Sequence, residues 1–120
     1  MSSKGELLIE KILNKERVFF KKEYSFSDLK SFRGQPLRFD FAIFVKGKLS
    51  ALIEWQGEQH YCYNKYFYKE ASQWRYALEM DQRKKRYALR KGIPLYCIPY
   101  TEYDNIKTTA DLFQNKFLNK

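Results

Sequence analysis

The chain has 120 residues, 44% of them hydrophobic and 18% aromatic, enough for one buried core and too few for two. Lysine and arginine number 23 against 14 acidic residues; the net charge of +9 implies a polyanionic partner, most simply nucleic acid, over a merely solubilising basic surface. No run approaches the roughly eighteen apolar residues of a membrane span and the first residues lack an apolar signal region, so a cytoplasmic protein with no membrane partner is expected.

Ser3 is placed to cap a first helix that ends near Asn14-Lys15, with Leu7, Leu8, Ile9, Ile12 and Leu13 on one side and Glu6 and Glu10 one turn apart. Arg17 to Tyr24 reads as a strand. The polar segment from Ser25 to Pro36 follows, and Ser27-Asp28-Leu29 is expected to open a short helical turn there. Apolar residues then alternate through Phe39, Phe41, Ile43, Val45 and again through Leu49, Ala51, Ile53, Trp55, the period-two pattern of half-buried strands. Lys46-Gly47-Lys48 joins them as a hairpin. Pairing Val45 with Leu49 puts Asp40 directly opposite Glu54 on one face, and Gln56 shares that face; a one-residue slip would separate them.

From Gly57 to Lys69 the alternation is lost, and Tyr61, Tyr63, Tyr66, Phe67 and Tyr68 are interleaved with Lys65 and Lys69, as in a functional loop. A long helix is expected from about Glu70 to Lys91, stopped by Gly92 with Pro94 beyond. On a wheel, Trp74, Ala77, Leu78, Met80, Tyr87, Ala88 and Leu89 form an apolar arc, with Arg75, Arg83, Arg86 and Arg90 opposite. Asp81 and Lys85 fall within that arc, where they either pair with each other or meet the sheet near Asp40 and Glu54. Leu95 to Ile98 is a short buried strand, and Thr108 to Leu118 reads as a final amphipathic helix. The order is helix, three strands, helix, strand, helix: a single α/β domain over residues 1–120. Cys62 and Cys97 are not in zinc spacing and fit a reduced compartment.

Two adjacent carboxylates repel unless one is protonated or a cation neutralises them, and hard oxygen ligands of this kind suit magnesium or manganese. Asp40, Glu54 and the Trp55 carbonyl form the expected metal set, with Glu6 joining if the first helix packs over the same sheet edge. Framed by basic side chains, such a site suits phosphodiester hydrolysis.

Asp40 followed by Glu54-Trp55-Gln56, in this element order, resembles the acid and E-x-K elements of the PD-(D/E)XK nuclease superfamily. Within it, Ile-Glu-Trp-Gln-Gly-Glu-Gln-His-Tyr (53–61) and Arg-Lys-Gly-Ile-Pro-Leu-Tyr-Cys-Ile-Pro-Tyr (90–100) look like blocks of phage homing-type endonucleases related to very-short-patch-repair nucleases. Gly5-Glu6 ahead of the acid is also similar to archaeal-type Holliday junction resolvases. The resemblance spans about residues 4 to 102 and implies a restriction-endonuclease-like core and a magnesium-dependent DNA endonuclease of a bacterial or phage-infected cell. It also implies a catalytic set of Asp40, Glu54, Gln56, His60, Lys85 and Glu6. Gln56 stands where lysine is usual, so Lys85, or less favourably Lys84, would supply the ammonium from the long helix; His60 would act as general base or hold metal-bound water. DNA would lie along Lys65, Lys69, Arg75, Arg83, Arg86 and Arg90, with Lys21, Lys22 and Lys30 across the cleft. The aromatic run from Tyr61 to Trp74 would stack on bases or pack on itself. A junction resolvase, acting as a symmetric homodimer, and a DNA-binding module without catalysis are the alternatives.

Overall fold

Ser3 starts the first helix, α1 (Lys4–Lys15), through a capping box: its hydroxyl accepts the Glu6 N–H at 3.3 Å, and the Glu6 carboxylate accepts the Ser3 N–H at 3.2 Å. The structure, a computed structural model, describes residues 3–58 and 70–120. His60, Lys65 and Lys69, with the loop aromatics from Tyr61 to Tyr68, lie outside the described residues.

Four strands follow the expected order: β1 (Phe19–Lys30), β2 (Pro36–Val45) and β3 (Lys48–Gln56), then α2 (Ala71–Lys91) and β4 (Leu95–Pro99). They form one sheet in the order β1-β2-β3-β4, with β1, β2 and β3 antiparallel and β4 parallel to β3. The parallel pair is possible because α2 carries the chain back across the sheet. Gly92 ends α2 in the left-handed conformation at φ 69°, as its place before Pro94 predicts. No described helix is long and apolar enough to cross a membrane.

Among the described residues, α1 and the C-terminal segment cover one sheet face and α2 the other. On one, Ile9, Ile12 and Leu13 of α1 pack with Phe41, Ile43, Ile53 and Ile98. On the other, Tyr87 and Ala88 of α2 pack with Phe39, Ala42, Leu52 and Leu95. Phe39 and Phe41 share the parity of one strand yet serve opposite clusters, as do Phe20 and the pair Tyr24 and Phe26 on β1. Both strands change faces around Glu23 and Asp40, and Glu23 holds a left-handed φ of 50° there. That backbone is strained for a residue with a side chain and rotates the sheet at the acid.

Three expectations are corrected. The segment after Tyr24 continues as strand to Lys30 and forms no helical turn, because Leu29 is buried in the α2-side cluster and Asp28 accepts the Tyr87 hydroxyl at 2.6 Å. At the hairpin apex, Val45 pairs with Lys48, not Leu49, around a two-residue Lys46-Gly47 turn with both φ positive. An irregularity between Ile43 and Phe44 then restores the expected register, so Ile43, Ala42 and Phe41 face Ala51, Leu52 and Ile53. The last correction concerns the tail, which forms only a four-residue helix, α3 (Thr109–Leu112), and a 3-10 turn at Asn115–Phe117. Beyond it the chain runs out to the open edge of β4, where the Asn119 N–H donates to the Leu95 carbonyl at 2.8 Å and Leu118 bridges Tyr96. Covering that edge requires extended backbone, which a continuous helix does not supply.

Candidate active site

Past the Phe41–Ile53 pair the side chains take over the joining of β2 to β3. The Asp40 N–H donates to Glu54 Oε2 at 2.9 Å, and the Trp55 N–H donates to Asp40 Oδ2 at 2.7 Å. Each carboxylate is therefore clamped to the backbone of the opposite strand, with Asp40 and Glu54 side by side as the register requires. Alternation along β3 turns Glu54 and Gln56, like Leu52, toward α2, and both are buried at 6% exposure.

Burial, followed by the neighbouring Glu54 charge, raises the Asp40 carboxyl from 3.8 to about 9; the charge of Glu6 adds to this and the Trp55 N–H opposes it. Without a cation, burial and the neighbouring charge therefore favour the protonated form of the Asp40 carboxyl. Lys84 of α2 reaches over the Phe39 ring, 5.1 Å from its centroid, to form an ion pair with Glu54 Oε1.

The ammonium at the carboxylates is thus that of Lys84, which corrects the preference for Lys85. Lys85 pairs with Asp81 at 3.1 Å, one turn away on its own helix. The wheel centred the apolar arc too far toward Leu89, which is exposed, whereas Met80, Tyr87 and Ala88 are the buried residues that aim α2 at the sheet. Glu6 remains in the capping box and also accepts the Ser3 hydroxyl at 3.0 Å. Its charge reaches Asp40 while its carboxylate serves the helix start.

Trp55 lies on the α1 side, where a Cβ added to Gly5 would overlap the indole. The absent side chain lets the first turn of α1 sit on Trp55, whose ring also meets Tyr103 edge-on at 6.4 Å. This packing fixes the backbone unit that binds Asp40.

Among the described residues no cluster of three or more His, Cys, Asp or Glu side chains could hold a metal ion. The expected set needs only two carboxylates and one carbonyl. In extended backbone the N–H and C=O of one residue leave the same strand edge, so the Trp55 carbonyl is directed to the Asp40 side with its N–H. These donors are all hard oxygens and two of them are adjacent carboxylates, so they fit magnesium or manganese.

Lys84 also lines a groove of about 680 Å³ between α2 and the start of β2, with Gln35, Leu37, Arg38, Met80 and Asp81. A smaller recess of about 250 Å³ lies against Arg83, Arg86 and Arg90, with Lys30 and Asp28. Arg75 is exposed on the same helix. Across the molecule Lys22 is engaged by Glu10 at 2.9 Å, and Lys21 lies over Phe44. Phe39 and Arg38 were not legible as site residues, because only the rotation of β2 at Asp40 turns Phe39 to the Lys84 side.

No protein-family model, curated protein or solved structure matches the chain.

Proposed function

We propose that this chain is a metal-dependent DNA endonuclease with the restriction-endonuclease-like core of the PD-(D/E)XK superfamily. One observation carries the reading: the partly buried Asp40 and the buried Glu54 lie side by side on adjacent strands, and a lysine from the following helix completes the pair. The order of one helix, three antiparallel strands, a helix and a parallel strand supports it, and so does the net charge of +9.

In this reading Asp40, Glu54 and the Trp55 carbonyl hold Mg2+ or Mn2+. A cation held there would supply an activated water and would offset charge developing on the phosphorus. Asp40 would bind the cation as its carboxylate, any proton on it passing to solvent. Lys84 supplies the positive charge that Gln56 does not, pairing with Glu54 and facing the phosphate that enters the groove. Gln56 orients water or phosphate through its amide. His60 remains a candidate general base, and Arg75, Arg86 and Arg90 are candidate phosphate contacts.

The test is nicking of supercoiled plasmid in Mg2+ or Mn2+ by the wild type, Asp40→Asn, Glu54→Gln and Lys84→Met. We expect losses of roughly 100-fold or more in each variant. Undiminished cleavage by both acid variants would remove this site from consideration. A wild type that binds DNA and cuts no form of it, linear, plasmid or four-way junction, would be a binding module; preferential junction cutting by a dimer would make it a resolvase.

A further inference from the structure

The turn between β1 and β2 presents an aromatic ring that touches α2 yet stays largely exposed and takes no part in the acid pair. Phe32 is 63% exposed at its tip. The turn is held rigid: the Ser31 N–H donates to the Gln35 carbonyl at 2.8 Å and the Gly34 N–H to the Ser31 carbonyl at 3.0 Å. The Ser31 hydroxyl also accepts the Arg33 and Gln35 N–H groups, both at 3.2 Å, and Gly34 supplies the left-handed φ of 79° that the turn needs.

Beneath the ring lies α2. The Arg83 guanidinium sits 4.6 Å from the Phe32 centroid, and its Nε donates to the Lys30 carbonyl at 2.9 Å. Tyr76 meets Phe32 edge-on at 6.5 Å and carries Arg33 over its own ring at 4.9 Å. Among the described residues, no acidic side chain pairs with Arg33 or Arg83.

A single exposed phenylalanine is ordinary. A preorganised one between two arginines without acidic partners is chemically specific: the ring offers a face to an aromatic base, and the guanidinium groups offer charge to phosphates. An apolar protein or lipid surface would desolvate those guanidinium groups with no compensation. The patch also adjoins the acid pair, since Arg83 precedes Lys84 on α2 and β2 runs directly from the turn to Asp40. The four residue steps from Pro36 to Asp40 cover about 13 Å, and with the turn added this is about four to six nucleotides of one strand.

We infer that Phe32 is a stacking site for an unpaired DNA base, with Arg33 and Arg83 on the flanking phosphates, so that the preferred substrate has a locally opened strand a few nucleotides from the cut. This inference rests on the endonuclease reading for its substrate.

The test measures binding in EDTA, by fluorescence anisotropy, to a fully paired duplex and to the same duplex with a three-nucleotide bubble containing 2-aminopurine. The wild type should prefer the bubble and change the 2-aminopurine emission. Phe32→Ala should weaken bubble binding about 5- to 100-fold and abolish the emission change, with duplex binding held within about twofold and the melting temperature unchanged. Phe32→Trp should retain both signals. Equal weakening on the two DNAs, or a bubble preference surviving in Phe32→Ala, would overturn the inference. A wild type that binds neither DNA overturns it together with the endonuclease reading. Bubble-selective binding lost in Phe32→Ala, with no cleavage in Mn2+, supports the stacking site and rejects the endonuclease reading alone.

Discussion

The proton on Asp40 makes the stability of the metal-free protein depend on pH in a direction opposite to that of most carboxylates. Burial and Glu54 raise this group from 3.8 to about 9, so between those values the native state holds a proton that the unfolded state has released. Stability then falls as pH rises, by at most about 1.4 kcal/mol per pH unit for one proton. Below the lower value both states are protonated and above the upper one neither is, so the dependence is confined to that window. A native value of 9 gives a loss of about 2 kcal/mol between pH 7 and pH 9. Asp40→Asn removes the titration while its amide oxygen can still accept the Trp55 N–H. Urea unfolding in EDTA, at half-unit pH steps, should give a falling curve for the wild type and a flatter one for Asp40→Asn. The difference between them isolates Asp40 from Cys97 and Tyr87, both pushed up to about 12 by burial. Parallel curves for the two proteins would refute the assignment. Saturating Mg2+ should remove the wild-type decline, because the cation holds the carboxylate form in the native state.

Other consequences separate neighbouring side chains. Lys84→Met leaves the buried Glu54 without its ion partner and should cost roughly 3–5 kcal/mol in urea unfolding, whereas Lys85→Met breaks a somewhat more exposed pair within one helix and should cost less. Equal costs would contradict the placement of α2. Gly5→Ala should destabilise by roughly 1 kcal/mol or more, since overpacking against Trp55 outweighs the gain in helix propensity; a rise in melting temperature would show that α1 does not rest on the indole. If Arg75 and Arg90 contact phosphates, replacing each by Gln should lower the slope of log affinity against log salt by about 0.9, and an unchanged slope would place DNA elsewhere.

The acid pair was readable from alternation alone, because a hairpin's register follows from its own residues; even the misplaced apex was compensated by an irregularity before the pairing reached Asp40. The cap at Ser3 and the stop at Gly92 were readable for the same reason, as local backbone needs met by local residues. The identity of the lysine was not. Lys84 and Lys85 differ by one step on the helix, and the choice depends on which face α2 lays on the sheet, fixed by Tyr87, Ala88 and Met80 against residues far away in sequence. The extension of β1 was hidden because Ser25, Ser27 and Asp28 are turn-forming types; Phe26 and Leu29, packed under α2, decide the outcome. The stacking patch at Phe32 escaped notice because its parts come from a turn and a helix that only folding brings together.

The joining of the two acids by each other's backbone has a kinetic consequence. Asp40 and Glu54 are 14 residues apart in a hairpin, whereas Lys84 lies 30 residues beyond Glu54. Short loops close sooner than long ones, so the carboxylates should meet before α2 docks. A stage in which two acids face each other without their lysine is therefore expected. Protonation of Asp40, or capture of a cation, relieves that repulsion, so added magnesium should speed refolding as well as stabilise the product.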